Sequence, residues 1–230
     1  MSVEIKTPLQ IQAYEALRQM LLEDKFQPNT IYSERRISEE LGVSRTPLRD
    51  AIHRLAQERY IDVIPSKGFQ LHKMTQEDLM HTYEIRCAIE GFCVVRIARV
   101  YDTPKAQQTL HTLESLLLDQ KAIASTSSDI DSFAAYDTEF HKRIVSFVNN
   151  PLFSAAFESY RYNMHTQTLA SLQHEGRITD TVNEHETLLT YMKAGDEWGS
   201  YNAAMHHIGM AQTLIEIDND NMNEEILDEI

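Results

Sequence analysis

SERRISEELGVSRTPLRDAIHRLAQERYIDVIPSKGF, residues Ser33 to Phe69, reads as a helix, a tight turn, a second helix and a two-stranded ribbon. Ile37 and Leu41 stand four apart and share one face of the first helix. Leu41-Gly42-Val43-Ser44 supplies the break. Gly42 tolerates the positive backbone angle that ends a helix, and Ser44 can accept amides orphaned at the start of the next. Pro47 falls in the first turn of that second helix, where its missing donor costs nothing. Leu48, Ile52 and Leu55 form its apolar stripe, and Arg45 and Arg49 point together away from that core. Arginine grips guanine edges and phosphates through two parallel hydrogen bonds, so the pattern points to sequence-specific DNA binding.

Such units also serve as plain structural elbows, with arginines that form a solvated face. The ribbon favours DNA. Ile61, Val63 and Ile64 make a short strand, Pro65-Ser66-Lys67-Gly68 a turn carrying a cation, and Phe69-Gln70-Leu71 the return strand. This is a winged helix-turn-helix, with Lys67 and Gly68 at a tip able to approach a phosphate or the minor groove.

The segment from about Gln10 to Leu71 resembles the N-terminal domain of GntR-family bacterial transcription regulators, whose most characteristic motif is matched by LGVSRTPLRDAIHRL. By position, the resemblance implies that Arg35, Arg45, Thr46, Arg49 and the tip glycine Gly68 contact DNA. Arg59 departs from the pattern, because the family usually has Gly there, just after the recognition helix. If that position is left-handed, Arg costs up to about 1 kcal/mol relative to Gly, with a phosphate contact as a possible return.

Taken whole, the net charge of -14 over 230 residues argues against nucleic acid. Division of the chain reverses that inference. Residues 1–73 carry 11 Lys/Arg and 10 Asp/Glu, a net of +1, whereas residues 74–230 carry 10 basic and 25 acidic groups, a net of -15. The acidity therefore belongs to a second domain that need not touch DNA. A near-neutral reading head must gather its arginines on one side, and its affinity for non-cognate DNA should be modest and salt-sensitive. No signal peptide and no apolar run of membrane-spanning length is visible. Cys87 and Cys93, six apart on a predicted helix, suit core thiols in a reducing compartment rather than a disulfide or a metal pair. The expectation is a cytoplasmic protein without a membrane partner.

From Thr75 to about Ile217 the periodicity is helical, with breaks near Asp102-Thr103-Pro104, Ser125–Asp129, Asn149-Asn150-Pro151, His174–Thr179 and Gly195-Asp196. These predict about six helices in an antiparallel bundle, the first from Gln76 to roughly Val100 with Tyr83, Cys87, Ile89, Phe92, Val94 and Ile97 as its apolar surface. The fold class is thus mainly α. A winged helix-turn-helix over 1–73 joins an all-helical effector-binding and dimerisation domain over 74–217. From Glu216 the chain carries seven acids and no base, so 218–230 is expected to be a disordered acidic tail.

Asp137 and His141, four apart in DTEFH, place a carboxylate and an imidazole on one helix face. His185 follows a predicted helix start where Thr181 and Glu184 have capping-box spacing, and His207 lies on the last helix. If these helices face one another, three imidazoles and a carboxylate converge. That set suits a divalent transition metal such as zinc, nickel or manganese, although helical histidines are commonly surface or core residues.

Residues from about Asp78 to Leu214 resemble the all-helical FCD effector domain of the FadR-type branch of GntR regulators. Arg86 and Glu90 match its first-helix pair, Asp137 to His141 its D-x-x-F-H, Asn150 its Asn, and Glu184, His185, Gly195, Asp196 and His207 its final motif. The resemblance implies that Asp137, His141, His185 and His207 are metal ligands. His206 is adjacent, and alignment through Asp196 favours His207. It also implies a small organic acid, sugar acid or amino-acid-derived metabolite as effector. Arg86 can grip such a carboxylate or pair along the helix with Glu90, while Arg161 and His165 are further candidates for the pocket wall; Tyr160 and Tyr162 beside them read as packing residues.

The favoured expectation is a ligand-responsive transcription factor, a homodimer on palindromic double-stranded operator DNA. The rival is a metal-dependent hydrolase or lyase whose Asp/His site activates water. No carboxylate stands out as its general base, and the winged domain would have no purpose in it. A third reading keeps the regulator and makes the metal purely structural.

Overall fold

The computed structural model describes residues 8–23, 25–126 and 129–228, with side chains at all of these except 22 and 216–228. The chain divides into two compact units, Met1–Met74 and Thr75–Ile230.

In the first unit α1 (Leu9–Leu22) packs on α3 (Arg45–Gln57), which also holds α2 (Glu34–Leu41) and β1 (Ile61–Ile64). Leu17, Ile37, Leu48, Ile52, Leu55, Tyr60 and Phe69 are fully buried and form its centre. Gly42 caps α2 in the left-handed region at φ 66°, as the turn requires. Ser44 precedes α3 in an extended conformation, but its side chain makes no capping hydrogen bond, contrary to the expectation from its residue type.

β1 pairs antiparallel with β2 (Gly68–Leu71), from Ile61 opposite Leu71 to Ile64 opposite Gly68. Pro65 and Ser66 turn the chain between them. Lys67 N donates to Ile64 O at 3.0 Å, and Ser66 takes φ 62° at the third position, as a type II turn demands. The ribbon has a third participant that the periodicity did not disclose. Tyr32 N donates to Phe69 O at 2.7 Å, and Phe69 N donates to Tyr32 O at 3.0 Å. Gly68, at φ 133°, is buried under this crossing, and a Cβ there would lie 2.0 Å from the Tyr32 carbonyl oxygen. Phe26 packs edge-on against both rings of the crossing, at 4.7 Å from Tyr32 and 5.6 Å from Phe69.

The second unit is a bundle of α4 (Gln76–Arg99), α5 (Pro104–Thr126), α6 (Ile130–Phe147), α7 (Pro151–Ser171), α8 (Arg177–Ala194) and α9 (Glu197–Asp228). Short connections at the expected breaks reverse the chain, and α4 lies at the centre, packed on α6, α7, α8 and α9. A capping box opens α4: Asp78 N donates to Thr75 Oγ1 at 3.2 Å and Thr75 N donates to Asp78 Oδ2 at 2.9 Å. Val94, Ile97, Leu113, Phe133, Phe140, Ile144, Phe157 and Met164 fill the interior. Cys93 is buried in it, and Cys87 is half-buried, both as free thiols.

Two expectations are corrected. The helix carrying His185 starts after Gly176 (φ 80°), so Thr181 lies a full turn inside α8 and donates to Arg177 O at 2.9 Å instead of capping. The backbone of α9 is helical through Asp228, where irregular chain was expected from 218. No Gly or Pro follows Gly209 to stop it, and Leu, Met, Gln and Glu propagate a helix well. The acidic side chains of that stretch lie outside the described residues.

Arg59 does adopt the left-handed region, at φ 60°. Arg59→Gly is therefore expected to stabilise the protein by about 0.5–1 kcal/mol. Gly68→Ala should destabilise it by more than about 2 kcal/mol, because Tyr32 cannot recede without breaking the crossing. Urea unfolding followed by circular dichroism checks both signs.

Candidate metal centre and nucleic-acid interface

Each unit gathers one set of candidate site residues. In the first, α3 exposes Arg45, Thr46 and Arg49. Arg45 and Arg49 share an open cleft of about 420 Å³ with Arg35, His53 and the wing residues Pro65 to Gly68. Arg49 Nε lies 3.5 Å from Glu34 Oε2, and Arg35 Nε donates to Glu39 Oε1 at 2.9 Å. Exposed pairs of this kind contribute about 0–1 kcal/mol, so they hold the guanidiniums without withholding them from a phosphate. His53 was missed in the sequence, although it extends the four-residue spacing of Arg45 and Arg49 by one more turn. Lys67 is exposed at the turn, whereas Gly68 is buried below it, so the need for glycine there already follows from its approach to Tyr32.

In the second unit Asp137 and His141 on α6, His185 on α8 and His207 on α9 are all buried, and their ligand atoms lie within 4.8 Å of one another. His207 Nε2 is 3.0 Å from His141 Nε2 and 3.3 Å from His185 Nε2. Asp137 Oδ1 is 3.8 Å from His141 Nε2 and 3.6 Å from His185 Nε2. His206 is exposed and lines an outer groove between α8 and α9, so His207 is the inward residue.

Every one of the three imidazoles is held from behind. His141 Nδ1 is 2.5 Å from Glu90 Oε2, His185 Nδ1 is 2.9 Å from Gln120 Oε1, and His207 Nδ1 is 2.7 Å from Glu184 Oε2. An acceptor beside Nδ1 favours the proton there and turns the Nε2 lone pair inward. Burial, and then the neighbouring imidazoles His207 and His141, hold His185 well below its ordinary pKa. Burial likewise lowers His207, against the pull of Glu184.

The carboxylates behind are in turn held by arginines. Burial alone would raise Glu90, but Arg86 and His141 outweigh it and keep the group far below the usual carboxylate range. Arg86 Nε donates to Glu90 Oε1 at 2.8 Å, the intrahelical pair among its two sequence readings, while its Nη2 stands 3.3 Å from His141 Nε2. Glu184 is similarly pulled down, against burial, to about 2 by His207 and Arg177, whose two Nη atoms donate to its oxygens at 2.6 and 2.9 Å. Sequence reading missed Gln120 and Arg177 altogether, and saw Glu90 and Glu184 without their histidines. These contacts span up to 65 residues and leave no periodic trace.

α7 turns Tyr160, Met164 and Thr168 inward, and Thr168 Oγ1 donates to Asp137 Oδ2 at 3.4 Å. Arg161 and His165 each lie one position off that line and are half-buried, with Arg161 Nε 3.2 Å from Glu158 Oε2.

His207 Nε2 stands 3.0 and 3.3 Å from the Nε2 atoms of His141 and His185, close enough for one ion to bind all three. On one ion with bonds of about 2.1 Å, neighbouring nitrogens stand about 3.0 Å apart at right angles and about 3.4 Å at the tetrahedral angle, so the donor set fits a transition metal.

Residues 9–71 match the bacterial regulatory proteins of the gntR family, and residues 81–210 match the FCD domain. The chain belongs to the GntR family, in the branch with an FCD domain. It is 26% identical over 182 residues to a gluconate operon transcriptional repressor of Bacillus licheniformis, covering 77% of this chain and 72% of that one. With the repressor RspR of Escherichia coli it shares 23% over 201 residues, 87% of this chain and 86% of the relative. Escherichia coli McbR/YncC has the same fold, with a TM-score of 0.70 at 22% identity over 94% of this chain and 99% of that one. This GntR protein is therefore a transcription regulator with an effector domain, and the hydrolase or lyase reading is closed. Among the described residues no helix is long and apolar enough to cross a membrane.

Removal of one partner from a buried ion pair leaves an uncompensated charge. Glu90→Gln should accordingly cost about 3–5 kcal/mol by stranding Arg86, which thermal unfolding of the second unit will register.

Proposed function

We propose that this regulator holds a divalent transition metal (zinc, nickel or manganese) on Asp137, His141, His185 and His207, and that a small carboxylate effector completes the site. The observation that carries this reading is the set of three imidazoles whose Nδ1 atoms are each held from behind by Glu90, Gln120 or Glu184, leaving Nε2 turned inward. Outer partners of this kind orient ligands and raise their basicity. The bound metal would supply Lewis acidity and open coordination positions. Arg86, with Nη2 beside His141 Nε2, offers a guanidinium to a carboxylate oxygen there. The gluconate repressor among the relatives is named for an operon whose compound is itself a carboxylate.

DNA reading falls to Arg35, Arg45, Thr46, Arg49, Lys67 and Gly68, two copies of the chain acting as a homodimer on a palindromic operator. Effector binding changes operator affinity through its unequal affinity for the DNA-competent and incompetent states. A purely structural metal is the second reading, favoured by the burial of all four ligands.

Metal analysis after dialysis against each ion should find about one equivalent in the native chain and a loss of at least tenfold in affinity for His207→Ala. Chelation should abolish binding of a panel of mono-, di- and tricarboxylates while circular dichroism stays helical. Unfolding on chelation would establish the structural reading instead, and the absence of any metal binding would sink both. On operator DNA, Arg49→Ala should cost about 1–3 kcal/mol and relax the base preference, whereas Lys67→Ala should lower the salt slope by about one with sequence preference kept. Fluorescence anisotropy at several salt concentrations separates the two effects.

A further inference from the structure

α4 has two faces of opposite character. Arg86, Ile89, Glu90, Cys93 and Ile97 point into the bundle, whereas Glu84, Ala88, Phe92 and Arg96 form an exposed row at four-residue intervals. Phe92 is 48% exposed and packs edge-on against Phe153 on α7, at 5.6 Å. On the other flank α9 meets α4 at Gly91, bringing up Tyr201, on which the 72% exposed Trp198 stacks. An apolar, aromatic strip therefore crosses a unit that otherwise carries a net charge of -15. Two copies of so acidic a unit repel except where their contact is apolar or its charges are matched.

The row is matched to itself. Reversed about the level of residue 90, position 84 falls on 96 and position 88 on 92, so Glu84 meets Arg96 and small Ala88 meets large Phe92, in duplicate. The half-buried flanking residues Ile85 and Val95 exchange in the same way. Among the described residues Glu84 and Arg96 make no ion pair within 4 Å, and Arg96 adds only a secondary attraction to Glu197, which is bonded to Arg99. A surface that is complementary to its own reversed copy is what a two-fold interface requires, and aromatic and Arg side chains are the types enriched at such centres.

We propose that two copies of this chain associate through the exposed face of α4, antiparallel, with Glu84 of each copy against Arg96 of the other and Phe92 over Ala88. This rests on the homodimer reading above and names its surface.

Sedimentation equilibrium on the full chain tests it with two charge reversals. Glu84→Arg places two like-charged Arg pairs across the axis, Arg96→Glu two like-charged Glu pairs, and each alone should weaken the dimer by roughly tenfold or more. An equimolar mixture of the two variants restores both opposite-charge pairs and should return dimer formation to about the native level. Rescue on mixing occurs only across two chains, so a local loss of structure cannot mimic it. Phe92→Glu, which no mixing with the native chain should rescue, checks the apolar centre. Failure of the mixture to recover, or three variants as dimeric as the native protein, overturns the α4 surface and leaves the homodimer reading standing. A native chain that is monomeric at every concentration removes both.

Discussion

The Glu90 carboxylate is the interaction on which the second unit turns. It is buried between a guanidinium and an imidazole, one oxygen on Arg86 and the other on His141. An isolated charge in so dry a place would be costly enough to neutralise itself or to unfold its surroundings. Here each member makes the others affordable, and Glu184 repeats the device with Arg177 and His207 on the opposite side. The bundle core is consequently split. Val94, Ile97, Phe133 and Ile144 hold it together as any apolar core would, while a polar interior persists because every imidazole has an assigned proton acceptor.

The reading head obeys a different constraint, that of backbone geometry. Three strands of chain, at Tyr32, β1 and β2, are drawn together so tightly that residue 68 has no room for a side chain. That crossing fixes where the wing turn stands relative to α3, within the one unit. Arg45, Arg49, His53 and Lys67 consequently share a single cleft although the first unit is almost neutral in sum.

What the sequence disclosed and what it hid divide along the range of the interactions. Helix breaks at Gly42, Pro104, Pro151 and Gly195, the ribbon turn at Pro65, and the α6 pair Asp137 and His141 depend on neighbours within a few residues, and all were legible. The convergence of His185 and His207 on that pair was legible only through resemblance to a family. Gln120 and Arg177 were not legible at all, since their roles arise from helices that meet only after folding. The local rules also misled twice, at Thr181, where capping-box spacing occurs inside a helix, and beyond 218, where acidity was taken for irregular chain.

Counted as charges instead of ligands, the interior of the bundle has one more implication. Glu90 is paired with Arg86 and Glu184 with Arg177, whereas Asp137 has no guanidinium bonded to it among the described residues and faces the imidazoles. On the proposed reading, a divalent ion beside Asp137 would bring more positive charge than that one carboxylate offsets, and a carboxylate effector would supply the remainder. In that reading the site would sort effectors by the sign of their charge before their shape.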